Sequence, residues 1–222
     1  MAFGTLYTRN PNPRSFAIIA VSKLLNIDLA VQYLDRENPE DEALLYKLNP
    51  LRQVPIFVGE DGFKLTECTA ILQYVTSQSP TTPLLGHTPT SPYEIQKWLS
   101  FANSDLLPAI GGIILPLLRL HNAVQKDVQD CLRALHADLA LLQNHLQGNK
   151  FLLGDEITIA DYFVIPPVER PVAFAAQSHR VRGDGTVRPE RPAASATPNA
   201  ARAGVCRSAC ETPTLRAGAT SR

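Results

Sequence analysis

The sequence predicts a small α/β domain of order βαβαββα with a mixed sheet, followed by an all-α helical domain and a C-terminal tail of atypical composition. Three observations carry this. Short strand-forming runs alternate with helical ones as far as residue 78. Pro, Thr and Ser then crowd residues 79–91, the composition of a linker. Beyond it, leucines recur at spacings of three and four. The expected boundaries are therefore 1–78, a linker at 79–91, a helical domain at 92–165 and a tail at 166–222.

The run GTLYT predicts the first strand. RSFAIIAVSKLL follows as a helix with Phe16, Ile19, Ala20, Lys23 and Leu24 near one stripe. LAVQYL reads as a second strand. PEDEALLYKLN opens with Pro39 and three acids, which suit the first turn and the positive end of a helix dipole. PIFVG and FKLT flank the turn signal Asp61-Gly62 and predict a hairpin, and ECTAILQYVTS a closing helix.

After the linker, residues 91–121 and 123–147 read as two long helices. In the second, Val128, Leu132, Leu135, Leu139, Leu142 and Leu146 form a stripe assigned to plain bundle core. In ITIAD, Thr158 is expected to cap the N–H three residues on, Asp161 to return a bond and Ile157 to supply an apolar staple. The helix so started meets Pro166-Pro167 within two turns, where proline removes donors and clashes with the preceding turn.

Composition bounds the function. An apolar fraction of 45% over 222 residues is ordinary for a globular protein. Twenty-one basic and 21 acidic residues cancel, so no global field recruits nucleic acid or an anionic membrane, and the expected partner is small or a protein. The tail departs from this balance, with nine Arg and no Lys against four acids among many Pro, Ala and Thr. Without aromatic interleaving, disorder is a better expectation there than RNA binding. The four cysteines lack metal-ligand spacing and the N-terminal residues lack a signal-peptide profile, which predicts a cytoplasmic protein with reduced thiols and no metal. The longest apolar run, residues 106–118, is broken by Pro108, Gly111, Gly112 and Pro116 and is too short to span a membrane.

Two stretches carry chemistry. In RQVPIF, Pro55 stands between two strand-forming pairs although proline donates no ladder hydrogen bond, so a neighbouring backbone group is left free for something other than the sheet. In ECTAI, a helix begins, and a helix N-terminus presents N–H groups that hold a carboxylate.

With NPLRQVPIFVGEDGFKLTECTAILQYV, the linker, the helical domain and FLLGDEITIADYF in place, residues 3–165 resemble a cytosolic glutathione S-transferase of the theta-like fungal kind. GTLYT and QKWLSFANSDLLP further resemble the transferase-like domain of fungal elongation factor 1B gamma. The resemblance implies a thioredoxin-like first domain, a homodimer and glutathione as co-substrate. It also implies a cis Val54-Pro55 bond that turns Val54's N–H and C=O toward the tripeptide, which adds as a strand. Glu67 would then take the γ-glutamyl ammonium and Cys68, where the family has Ser or Thr, the carboxylate. Gln53 and Arg52 would reach the glycine carboxylate.

The family activates the thiol with a Tyr, Ser or Cys after the first strand. No serine precedes Ser15 here, so Thr8, Arg9, Asn10 and Asn12 are the polar candidates, with Asn10 aligned to the serine. Tyr7 is expected to pack and Arg14 to be structural. Leu106, Leu107, Ile110, Ile113, Ile114 and Leu117 would wall a pocket for a hydrophobic electrophile, with Gly111-Gly112 letting it approach the backbone. The implied activity is conjugation, or reversible addition giving cis/trans isomerisation, in fungal secondary metabolism or detoxification. The alternative is a non-catalytic interaction module in translation, although the chain lacks room for the further domain of elongation factor 1B gamma.

Overall fold

Four strands form one sheet in the order β2-β1-β3-β4: β1 (Gly4–Thr8), β2 (Leu29–Tyr33), β3 (Ile56–Gly59) and β4 (Lys64–Leu65). β2 runs parallel to β1, β3 antiparallel to it, and β4 antiparallel to β3. The computed structural model describes residues 3–10, 12–117 and 125–168. Most of the predicted tail, Cys206 and Cys210 included, lies outside the described residues.

The helices α1 (Pro13–Leu24), α2 (Pro39–Leu48) and α3 (Cys68–Ser77) complete the predicted βαβαββα order. Asn12 and Asn38 cap α1 and α2 through side-chain oxygens, each one residue before a proline. Gly62, at φ +81°, makes the hairpin turn between β3 and β4.

The buried face of α1 differs from the expected one. Ser15, Ala17, Ile18, Val21 and Ser22 face inward, while Ala20, Lys23 and Leu24 are exposed. The helix is apolar on several sides, so hydrophobicity does not choose a face. Close packing on α3 does, and the small Ser15, Ala17 and Ser22 permit it.

The helical part begins after a 3₁₀ turn at Pro83–Leu85 that buries Leu84 within the linker. Helix α4 (Ser91–Phe101) passes through a π turn at Ala102–Leu106 into α5 (Leu107–Leu117). In that turn the Leu107 N–H bonds the Ala102 carbonyl, five residues back. The wider turn precedes Pro108, whose ring would clash in a tight α turn.

Because the pieces join, residues 91–116 make one helix long and apolar enough to cross a membrane, by length and composition alone. This corrects the expectation drawn from the 106–118 run. Within the protein, Leu99, Ala102, Leu106, Leu107 and Ile110 of this helix are buried in the core.

Helix α6 (Gln125–Leu146) packs on α5, with Leu142 of its stripe buried and Leu132 and Leu146 exposed. Helix α7 (Ile159–Val168) follows Thr158 and continues through Pro166-Pro167 as far as Val168. Asp161, itself buried, returns the predicted bond: its carboxylate accepts the Thr158 N–H at 2.9 Å and the Leu152 N–H at 2.9 Å. The Thr158 hydroxyl does not cap Asp161 as expected but donates to that same carboxylate, while the Thr158 carbonyl accepts the Asp161 N–H.

One core cluster joins the α/β and helical parts, from Leu6, Ile18, Phe57 and Leu72 to Leu99, Leu106, Ile159 and Phe163. Each such side chain contributes about 1.5–3 kcal/mol on burial. The cleft between the two parts is thereby held on both walls.

Candidate functional site

A cleft of about 1100 Å³ lies where β1, β3 and α3 meet α5. Its floor is polar, lined by Arg9, Asn10, Asn12, Arg14, Arg52, Gln53, Glu67 and Cys68, while Leu107, Ile110, Gly111, Ile114 and Leu115 make an apolar wall. A molecule with a charged peptide half and an apolar half fits such a division.

Val54-Pro55 is cis. Val54 lines the cleft just before β3, and its N–H and C=O have no partner among the described residues. It is an open strand end, able to pair with an extended peptide. The preceding loop is fixed by Asn49, which sequence reasoning missed. This buried side chain donates to the Gln53 carbonyl at 3.1 Å and accepts the Leu51 N–H at 3.0 Å. The Asn-Pro pair at a helix end was the available signal. Arg52 adopts φ +53° and rests its guanidinium over the Tyr46 ring, 5.2 Å from the centroid. Gln53 is exposed at the cleft.

Glu67 occupies the N-cap of α3 at φ +68° and ψ 114°, a region that a residue with a Cβ rarely adopts. No side chain caps this helix, and Glu67 is exposed in the cleft. Cys68 behind it is almost fully buried, and burial pushes its thiol pKa up to about 11 despite the opposing field of Arg14. It is therefore a neutral thiol near pH 7, and its S–H donates to Asn103 Oδ1 at 3.6 Å.

The residues after β1 sit unequally. Thr8 is fully buried, bonded to the Ser15 hydroxyl, and lies behind the cleft. Arg9 lines the cleft but is paired with Glu42 of α2. Asn10 is exposed in the cleft and its side chain makes no hydrogen bond within the described residues. Asn12 is occupied at both ends, accepting the Arg14 N–H at 3.1 Å and donating to Thr8 Oγ1 at 3.3 Å. Arg14 was expected to be structural, yet it lines the cleft, and its Nε–H donates to Asn103 Oδ1 at 3.0 Å. Asn103, in the π turn, was also missed, and nothing in its local sequence marks it.

The two glycines of the apolar wall part company. Gly111 opens on the cleft, where an added Cβ would meet only Leu115 Cδ1 at 3.9 Å. Gly112 instead lies against Cys131 of α6, which corrects the expectation that both serve the ligand.

The chain is similar to known proteins over most of its length. Residues 2–77 match the family model for the glutathione S-transferase N-terminal domain, and residues 125–195 that for the C-terminal domain. The glutathione S-transferase mdpJ of Emericella nidulans is 43% identical over 163 residues, 73% of this chain and 72% of that one. The glutathione S-transferase stcT of the same organism is 38% identical over 174 residues, 78% and 79% of the two chains. Elongation factor 1-gamma of Rattus norvegicus is 30% identical over 74% of this chain but only 38% of its own length. Among solved structures, a glutathione S-transferase from Pichia kudriavzevii superposes with a TM-score of 0.65 at 31% identity, covering 78% of this chain and 83% of that one. With both family models matched in order and the fungal relatives covered over most of their length, the chain belongs to the glutathione S-transferase family.

Proposed function

We propose that the protein is a glutathione transferase acting on a small hydrophobic electrophile. The carrying observation is the unpaired N–H and C=O of Val54 at the mouth of a cleft that also holds the uncapped N-terminus of α3. Val54 would pair with the cysteinyl backbone of glutathione, Glu67 would take the γ-glutamyl ammonium, and the Cys68 N–H its carboxylate. The Cys68 side chain, turned to Asn103, would add little. Gln53 and Arg52, which line the cleft, would face the glycine carboxylate. The apolar wall from Leu107 to Leu115 would orient the electrophile and exclude water from it.

Glutathione supplies the thiolate, whose electron pair forms a C–S bond as a leaving group departs or the neighbouring carbon takes a proton; elimination after bond rotation gives the isomer instead. Asn10, whose amide lines the cleft and makes no hydrogen bond among the described residues, would donate to the sulfur. We assign the setting to fungal secondary metabolism or detoxification in the cytoplasm, as the family resemblance implies; the Emericella relatives support the transferase part of that reading.

The test is retention on immobilised glutathione together with turnover of a panel of apolar electrophiles. Glu67→Ala should weaken retention by tenfold or more, about 1.5–3 kcal/mol for a charge-assisted bond. Undiminished retention would remove Glu67 from the site. Absence of glutathione binding in the unmodified protein, with capture of a translation exchange factor, would favour the interaction-module reading instead.

A further inference from the structure

Under the transferase reading a thiolate must be held at the α1 end of the cleft, and the local geometry removes most donors from that task. Pro13 has no N–H, the Arg14 N–H is taken by Asn12 Oδ1, and the Ser15 N–H by the Asn12 carbonyl at 3.0 Å. Asn12 Nδ2 is directed at Thr8, and Thr8 is sealed against Ser15. Arg9 is cationic, but Glu42 neutralises it. Among the described side chains that line this end of the cleft, the neutral amide of Asn10 and the guanidinium of Arg14 remain as donors, while Arg9 Nε is buried without a partner.

Arg14 is held without being neutralised. Its Nε–H rests on Asn103 Oδ1, an uncharged acceptor, and no carboxylate lies within ion-pair distance of it among the described residues. Its terminal nitrogens make no other hydrogen bond there, and the residue lines the cleft. Asn103 is itself fixed, since the same oxygen also accepts the Cys68 thiol, and it stands on the π turn rather than on regular helix. A carboxylate in place of this amide would pair with the guanidinium and cancel its field, so the choice of amide matters. The field does reach a neighbouring sulfur, because Arg14 opposes the upward shift of the Cys68 thiol.

We infer that Arg14 is a further catalytic residue of the proposed reaction, its guanidinium holding the negative charge of the glutathione sulfur, with Asn103 as its positioning residue. The thiol proton goes to solvent, and the charge left on sulfur is stabilised through space. A cation within about 4–6 Å lowers such a pKa by 1–3 units. The other charges lining the cleft are Arg9 paired with Glu42, then Asp35, Arg36, Glu37, Arg52 and Glu67. Glu67 opposes the effect, as it does at Cys68.

The experiment is an ultraviolet titration of the thiolate in the glutathione complex of the full chain, which needs no knowledge of the electrophile. Arg14→Gln should raise the midpoint by about one unit or more, Arg14→Lys should keep it near the unmodified value, and Asn103→Asp should raise it although Arg14 is intact. An unchanged midpoint in Arg14→Gln with glutathione still bound would overturn the inference and leave the transferase reading standing. If Arg14→Gln no longer binds, Asn103→Asp decides: a raised midpoint supports the inference and an unchanged one overturns it. Loss of binding in both variants would assign the pair to gripping the peptide and equally overturn it. Failure of the unmodified protein to bind glutathione would instead sink the transferase reading on which the inference rests.

Discussion

Gly112 of α5 lies so close to Cys131 of α6 that an added Cβ would overlap Sγ and stand 3.2 Å from the cysteine Cβ. Its neighbour Gly111 has no such constraint. Alanine gains about 1 kcal/mol over glycine in a helix interior, while overpacking costs about 1–3 kcal/mol. Gly111→Ala should therefore raise the melting temperature and Gly112→Ala lower it, and calorimetry on the pair reads the contrast. The same Gly111→Ala should raise KM for bulky electrophiles, since its methyl enters the cleft. Equal shifts of melting temperature in the two variants would contradict the assignment of the glycines to different neighbours.

The divergence of these glycines shows where the sequence stops being informative. Identical residues one position apart face in directions set by the packing of α6, which nothing in the GG pair encodes. The same holds for α1, whose apolar residues surround the helix and whose buried face was chosen by contact with α3. By contrast, β1, the hairpin and the start of α7 were legible, because each rests on local chemistry: alternation, Asp61-Gly62 and the carboxylate of Asp161. The places of Val54 and Glu67 on the cleft were legible for that reason too, as they sit beside a proline and a helix start. Asn103 was not, since it meets Arg14 across 89 residues and only through the packing of the helical part on the α/β part.

Glu67 combines an exposed carboxylate with a backbone at φ +68°, ψ 114°. Strain of this kind costs about 1–3 kcal/mol, and glycine relieves it at an entropic cost of about 1 kcal/mol in the unfolded chain. Glu67→Gly should consequently be as stable as the unmodified protein or more stable by about 1 kcal/mol, yet hold glutathione tenfold or more weakly. Denaturant melts and equilibrium binding measure the two effects separately. A variant that is clearly less stable would argue that the backbone here is not strained.

Asp138 of α6 is a place where a buried charge opposes stability. Its Oδ2 is buried with no partner among the described residues, and its carboxyl pKa is raised, first by burial and then by the like charge of Asp105. The unfolded chain releases this proton at a lower pH than the folded one, so stability is lost as pH rises through the folded value. Asp138→Asn should be the more stable protein near neutrality. Below about pH 3, where both states keep the proton, the advantage should vanish. Melting curves at low salt across that range provide the check, and an advantage independent of pH would exclude charge as its source.

Cys68 titrates at the opposite end of the scale. The folded thiol keeps its proton up to about 11, whereas the ordinary value is 9.0, so on raising the pH the unfolded chain ionises first. Between those values the unfolded state binds fewer protons than the folded one, and stability must fall, by up to the order of 2 kcal/mol for a residue this buried. Below 9.0 the contribution is fully present. Cys68→Ala has no thiol to titrate and loses only a weak S–H donor to Asn103, together with some apolar contact. The unmodified protein should thus exceed Cys68→Ala in urea midpoint at about pH 8, with the gap closing by about pH 10.5. Arg14→Gln should make the closing steeper, because the guanidinium is the main influence holding the Cys68 value down. A gap that stays constant with pH would mean that burial does not raise the Cys68 thiol and that Cys68 stabilises the protein by packing alone.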